Sequence, residues 1–337
     1  MGAGLPGLDS ARPSGGLDML SRRTLLSTTL ALAATAPLIA GRPARAEEAP
    51  KALRIGYQKN GILLVAKTRK SLEGHFAPLG VTVEWVEFAF GPPLLEALNA
   101  GSIDFGATGD TPPIFAQAAQ ADLVYAAAQP AAGSGQGLVV PKTSTARTVA
   151  DLKGARIAVG KGSSAHNFLV AALQKAGLGW QDITPVYLAP ADARAAFAGG
   201  SLDAWAIWDP YFAIAELEES ARVIATSADV EPQNSYFLAS KGFATDHPGT
   251  LRNLVEELDR VGVWADAHHQ EVAKLFADET GISLAAEQRS VDRATFRIGP
   301  LTDEIVTQQQ KIADRFAALG LIPAPITVRD IVWTPSA

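Results

Sequence analysis

The sequence predicts an α/β protein of two related lobes, each a mainly parallel sheet flanked by helices, with a helical C-terminal segment packed on the first lobe. Three observations carry this. Short apolar runs alternate with amphipathic helical stretches along most of the chain, the signature of parallel sheets covered by helices. Two blocks then recur in the same order. Gly101-Ser102-Ile103-Asp104 matches Gly200-Ser201-Leu202-Asp203 at an offset of 99, and Arg54-Ile55 matches Arg156-Ile157 at an offset of 102. Finally, after Arg222-Val223-Ile224-Ala225 and one more strand at Tyr236–Ser240 the alternation stops, and only helical periodicity remains.

In chain order, Leu53–Tyr57 reads as the first strand, followed by the turn Gln58-Lys59-Asn60-Gly61 and a helix through Ile62–Leu72. Val81–Phe90 alternates like a strand, and Gly91-Pro92-Pro93 opens a helix over Leu94–Ala100, with proline in its first turn. Ile103–Thr108 is a buried strand. Gly109-Asp110-Thr111-Pro112-Pro113 then starts a helix, with Thr111 as N-cap. Leu123–Ala128 and Gly137–Pro141 are short strands. Arg156–Val159 runs into Gly160-Lys161-Gly162-Ser163-Ser164, where the glycines permit a sharp turn and a serine can cap the helix that Gly177 ends. From His247 onward, Leu251, Leu254, Val255, Leu258, Val261 and Trp264 recur at helical spacing. The expected organisation is residues 47–137 plus 240–337 as the first lobe, 138–239 as the second, and a ligand cleft between them.

Residues 1–46 read as a removable export signal: the twin-arginine pattern Ser21-Arg22-Arg23-Thr24-Leu25-Leu26, an apolar run to Ala40, and the cleavage site Ala44-Arg45-Ala46. The run is too short and too polar to span a membrane. The expected location is the periplasm, with Ser27 in place of a lysine leaving twin-arginine against general secretory export open. Removing the segment deletes five Arg and two Asp and takes the net charge from −6 to −9. An anion bound by such a protein must be held by local donors, because the global field repels it. The chain has no cysteine, which excludes disulfides, thiolate metal sites and cysteine nucleophiles. The five histidines lack metal-ligand spacing, so no metal or cofactor is expected, and no basic stripe points to nucleic acid.

Ligands of open parallel sheets sit beyond the carboxyl ends of the strands, at helix N-termini. That rule gathers Gln58, Gly109, Asp110, Thr111, Ser163, Ser164, His166, Trp205 and Asp209. Their amide, hydroxyl, imidazole and backbone donors suit a small oxyanion, and the indoles of Trp205 and Trp208 an organic tail. A sulfonate fits best, since it stays ionised and asks for no proton donor in return. Trp208 reads equally as core. Asp110 and Asp209 read equally as helix caps; if either is free to pair an ammonium, a zwitterion such as taurine is favoured, and if both only cap helices, plain alkanesulfonates.

These residues also resemble a known family. Ile55–Lys59, Gly101–Gly106, Thr108–Pro113, Lys161-Gly162-Ser163, Pro190–Phe197, Asp203–Tyr211 and Gln310–Asp314 look like the aliphatic sulfonate-binding proteins of ABC importers. The resemblance implies a two-lobed (type II) periplasmic binding protein, a non-enzymatic monomer that closes on an alkanesulfonate and docks on a membrane permease and its ATPase. It carries sulfonate contacts to Gln58, Thr111, Ser163, Ser164, His166 and Trp205. The alternatives are the same fold binding taurine, nitrate or a thiamin precursor, or a desulfinase-like enzyme; Ser163, Ser164 and His166 have no carboxylate orienter in sequence to support the last.

Overall fold

The computed structural model describes residues 49–131 and 134–334; the expected export signal lies outside them. Ten strands run in order: β1 Ala52–Tyr57, β2 Thr82–Glu87, β3 Phe105–Gly109, β4 Leu123–Gln129, β5 Gln136–Val140, β6 Arg156–Val159, β7 Thr184–Tyr187, β8 Ala204–Trp208, β9 Arg222–Thr226 and β10 Ser235–Ser240. The α-helices are α1 Gly61–Thr68, α2 Ser71–Phe76, α3 Gly91–Asn99, α4 Thr111–Ala118, α5 Ser164–Lys175, α6 Pro190–Ala198, α7 Tyr211–Leu217, α8 Ser227–Val230, α9 Lys241–Asp246, α10 Pro248–Ala267, α11 His269–Thr280, α12 Leu284–Asp292 and α13 Asp303–Ala318. No described helix is long and apolar enough to cross a membrane.

The strands form two five-stranded sheets of one topology, β2-β1-β3-β10-β4 and β7-β6-β8-β5-β9. The recurring sequence blocks make the same bonds in each. The backbone N–H of Arg54 donates to the carboxylate of Asp104 at 2.8 Å, and that of Arg156 to Asp203 at 2.7 Å. The return bonds, from the amides of Asp104 and Asp203 to the carbonyls of Arg54 and Arg156, are 2.8 and 2.9 Å. An aspartate at the foot of the third strand thus ties it to the first in both lobes, which is why those residues repeat.

Each sheet holds one antiparallel strand, β10 in the first and β5 in the second. Both are entered from the opposite lobe, so the chain crosses between β4 and β5 and again between β9 and β10. The second crossing corrects the expected boundary at 239/240, because Ser235–Ser240 pairs with β3 and β4 and belongs to the first lobe. Strand β5 lies so close to α7 that a Cβ on Gly137 would meet the Phe212 ring at 2.3 Å, and only glycine fits.

Two local expectations also shift. The helix foreseen over Ile62–Leu72 is broken into α1 and α2 by Lys70, which takes a left-handed conformation (φ 54°). Thr111 is the first residue of α4 rather than its cap. The turn into α5 follows the reading: Ser163 stands at the N-cap, Gly162 has φ +70°, and Gly177 ends the helix at φ +76°.

The C-terminal helices cover both faces of the first sheet. Leu251, Leu254, Leu258, Val272 and Phe276 of α10 and α11 join Leu53, Ile55 and Phe237 in one core, while Ile312 and Phe316 of α13 join Leu94, Leu98 and Ile114 in another. Helix α12 reaches across instead, its Ala286 packing on Ala213 and Ile214 of α7 in the second lobe.

Candidate functional site

The loops after β1, β3, β6 and β8 and both crossover segments meet between the lobes, around a cavity of about 230 Å³. Gln58, Asn60, Thr108 and Gly109 line it from the first lobe, Ser163, Ser164, Trp208 and Asp209 from the second, and Gln233 and Asn234 from a crossover. Arg293, Ser290, Phe276 and Phe296 close it from the C-terminal segment. The wall combines amides and hydroxyls with aromatic and aliphatic groups.

One end of the cavity is the start of α5. No side chain caps this helix, because the Ser163 hydroxyl donates to the carbonyl of its own loop residue Gly160 at 2.7 Å. The His166 amide turns back on the Ser163 carbonyl at 2.9 Å, which leaves the amides of Ser164 and Ala165 and the positive end of a twelve-residue dipole for a guest. The Ser163 amide donates to the Gly160 carbonyl as well, at 3.1 Å, so both of its protons, the hydroxyl proton expected of it included, are spent within its own loop. Ser164 abuts Gly109 of the facing lobe so closely that a Cβ on Gly109 would meet Ser164 Cβ at 2.6 Å. Gln58 sits opposite, one of its amide hydrogens given to the Ala107 carbonyl at 3.0 Å.

The wall also holds a charge pair. Asp209 Oδ1 accepts the Ala213 amide of α7 at 3.0 Å, and Arg293 donates to the same carboxylate at 3.3 Å. Arg293 also binds Glu216 and lies over the Phe212 ring at 4.3 Å. Burial pushes the Asp209 carboxyl up to about 7, against the pull of Arg293 and the Ala213 amide. Asp209 is thus both a cap and an ion-pair partner, and Arg293 is tied to two carboxylates.

Four expected site residues do not line the cavity. Trp205 is fully buried in the core of the second lobe, against Phe197 and Tyr211. The wall is formed by Trp208 instead. The two indoles are three positions apart on β8, an odd spacing that puts them on opposite sheet faces, and Trp208 is at the carboxyl end where ligands bind. That signal was available in the sequence. Asp110 and Thr111 are buried behind the cavity, the Thr111 hydroxyl donating to Asp110 Oδ1 at 2.8 Å. Burial raises the Asp110 carboxyl to about 7, opposed by Thr111 and by the Asn167 amide, which donates to Oδ2 at 3.1 Å. His166 is 1% exposed, its ring turned away into a ring of aromatic side chains, with Nδ1 accepting the Gly162 amide at 3.2 Å. Burial, with Lys161 nearby, lowers its pKa to about 4, so the ring is neutral.

Asn60, Gln233, Asn234, Ser290 and Arg293 escaped the sequence reading. Asn60 ties the lobes, donating to the Asp209 carbonyl at 3.1 Å. Arg293 follows α12 in a segment with no motif, and nothing local marks it.

Comparison with known proteins places this geometry. Residues 46–277 match the NMT1-like family. A protein of Escherichia coli strain K12, named for binding aliphatic sulfonates, is 41% identical over 293 residues, 86% of this chain and 91% of its own length. The solved alkanesulfonate-binding protein SsuA of Xanthomonas axonopodis pv. citri, bound to MOPS, superposes with a TM-score of 0.80 at 43% identity, covering 84% of this chain and 98% of that one. The periplasmic aliphatic sulphonate binding protein SsuA of Escherichia coli gives 0.77 at 40% identity, covering 86% and 94%. All three are named as binding proteins rather than enzymes. By the extent and level of that identity, the chain belongs to the NMT1-like family, among its aliphatic sulfonate-binding proteins.

Proposed function

We propose that this chain is the substrate-binding component of an ABC importer for aliphatic sulfonates, exported to the periplasm and acting as a monomer that delivers its ligand to a membrane permease and ATPase. The head group sits at the uncapped start of α5, near Gln58 and Gly109, and the tail runs along Trp208, Phe276 and Phe296. The observation that carries the reading is the state of the cavity's charges. A sulfonate is met by backbone and amide donors that demand nothing in return, each contributing on the order of 1.5–3 kcal/mol. The one carboxylate among the described residues of the wall, Asp209, is already held by Arg293 and Ala213, so none of them is free to pair an ammonium. This favours an uncharged alkyl tail over taurine.

A thermal-shift series tests it. With butanesulfonate at a hundred times its Kd the native state gains about 2.7 kcal/mol, a rise of several degrees in Tm. Nitrate and sulfate give less, and taurine less than butanesulfonate. Equal stabilisation by taurine would overturn the tail assignment, and stabilisation by nitrate alone would overturn the sulfonate reading.

A further inference from the structure

His166 sits one turn into α5, directly behind the cavity, and does not touch it. Four rings surround it. Trp180 at 4.7 Å and Tyr187 at 5.9 Å between centroids belong to the second lobe. Phe316 of α13 at 5.3 Å and Phe115 of α4 at 6.4 Å belong to the first. The imidazole is therefore walled by both lobes, and separating them withdraws Phe115 and Phe316 and admits water. The ring's one hydrogen bond among the described residues, from the Gly162 amide to Nδ1, lies within the second lobe and survives opening. That bond makes Nδ1 an acceptor, so a neutral ring carries its proton on Nε2. Nε2 is buried with no hydrogen-bond partner among the described residues. A second proton would create a cation in an apolar box with nothing to solvate it.

We propose that His166 is a positioning residue that ties closure of the cleft to the loss of its own charge: the closed form accepts only neutral imidazole, the open form either. The inference rests on the ligand-driven closure proposed above. The groups facing the ring do not rescue a cation. Lys161, on the loop before α5, repels it. Tyr187 offers a phenol. Helix α4 has no titratable side chain. Arg315 of α13 points at Asn167 and Glu231, and Asp182, beside Trp180, takes the Gly179 amide and pairs with Lys153. Asp110, ahead of α4 and bonded to Asn167, carries the opposite sign, because burial raises its pKa.

The sign follows from the direction of the shift. In the open form an exposed imidazole titrates near 6.5, and in the closed form burial lowers this to about 4. The preference for closure is full above 6.5, declines as pH falls, and levels off below 4. Ligand affinity then drops by up to about tenfold per pH unit inside that window.

Two measurements test this. Butanesulfonate affinity is determined by calorimetry from pH 7.5 to 4.5 in the wild type and in His166→Phe, which keeps an aromatic plug without a titrating nitrogen. Both are repeated with Asp110→Asn, which removes the opposing slope; Asp209, whose carboxyl also titrates at about 7, is common to both proteins and cancels in their comparison. In that background the expected result is an affinity that falls with pH by up to about tenfold per unit more steeply with His166 present than in His166→Phe; the same slope in both overturns the proposal. Separately, in ligand-free protein, the His166 ring is titrated by NMR while spin labels on Glu96→Cys and Lys142→Cys report the distance between lobes. Protonation found only in the separated population supports the inference, and a protonated ring at the closed inter-lobe distance overturns it. Should butanesulfonate fail to bind at pH 7.5 while protonation and opening still move together, the ligand reading falls and this one stands.

Discussion

Gly109→Ala is the sharpest probe of how the cavity closes. Gly109 ends β3 and its φ is not positive, so alanine fits the backbone. The added methyl instead meets the opposite lobe, 2.6 Å from Ser164 Cβ and 2.8 Å from its Oγ, where ordinary contact begins at 3.4 Å. The second lobe must retreat by roughly 1 Å to restore carbon–carbon contact. At that edge Asn167 reaches Asp110 at 3.1 Å and Gln233 reaches the Ser164 carbonyl at 3.4 Å. Such a retreat stretches both beyond hydrogen-bonding distance. Overpacking costs about 1–3 kcal/mol and each of the two lost bonds about 0.5–1.5 kcal/mol, a total of about 2–6 kcal/mol charged to the closed form. Butanesulfonate affinity falls by about 30- to 20,000-fold, measured by calorimetry at pH 7.5, while the thermal unfolding of ligand-free protein changes little. Ser164→Gly removes the atoms the methyl strikes, so a double-mutant cycle gives Gly109→Ala a much smaller penalty in that background. Wild-type affinity in the single mutant, or a penalty that Ser164→Gly leaves intact, refutes the reasoning.

Trp205→Ala destabilises the protein by about 3–5 kcal/mol in denaturant titration, because it empties a fully buried indole site, yet leaves the affinity of the folded fraction near wild type. Trp208→Ala does the reverse, weakening long-chain sulfonates more than short ones; equal effects on binding would show the two indoles misassigned. Glu287 is buried on α12 with one carboxylate oxygen unpartnered and its pKa pushed by burial to about 7, against the Thr280 hydroxyl. A raised carboxyl contributes stability that is full below its unfolded value of about 4.3 and lost as pH rises through 7. Glu287→Gln therefore flattens the decline between pH 5 and 8 by about 1–3 kcal/mol, read from urea midpoints; an unchanged slope refutes the assignment.

The sequence by itself determined the two-lobed α/β fold, the repeat and the glycine-serine turn that opens α5. These rest on local rules: strand period, helix punctuation, and an aspartate that must tie the third strand to the first in each lobe. It also placed Gln58, Gly109, Ser163, Ser164 and Asp209 at the cleft, because residues at the carboxyl ends of parallel strands have nowhere else to go. Tertiary structure decided the rest. Whether His166 faces the ligand or plugs the seam depends on Phe115 and Phe316, which come from the other lobe and lie 51 and 150 residues away in sequence. Whether Asp209 can meet an ammonium depends on Arg293, delivered by a helix that packs across the cleft. No local pattern encodes those partners, since they become neighbours only when the two sheets close on each other.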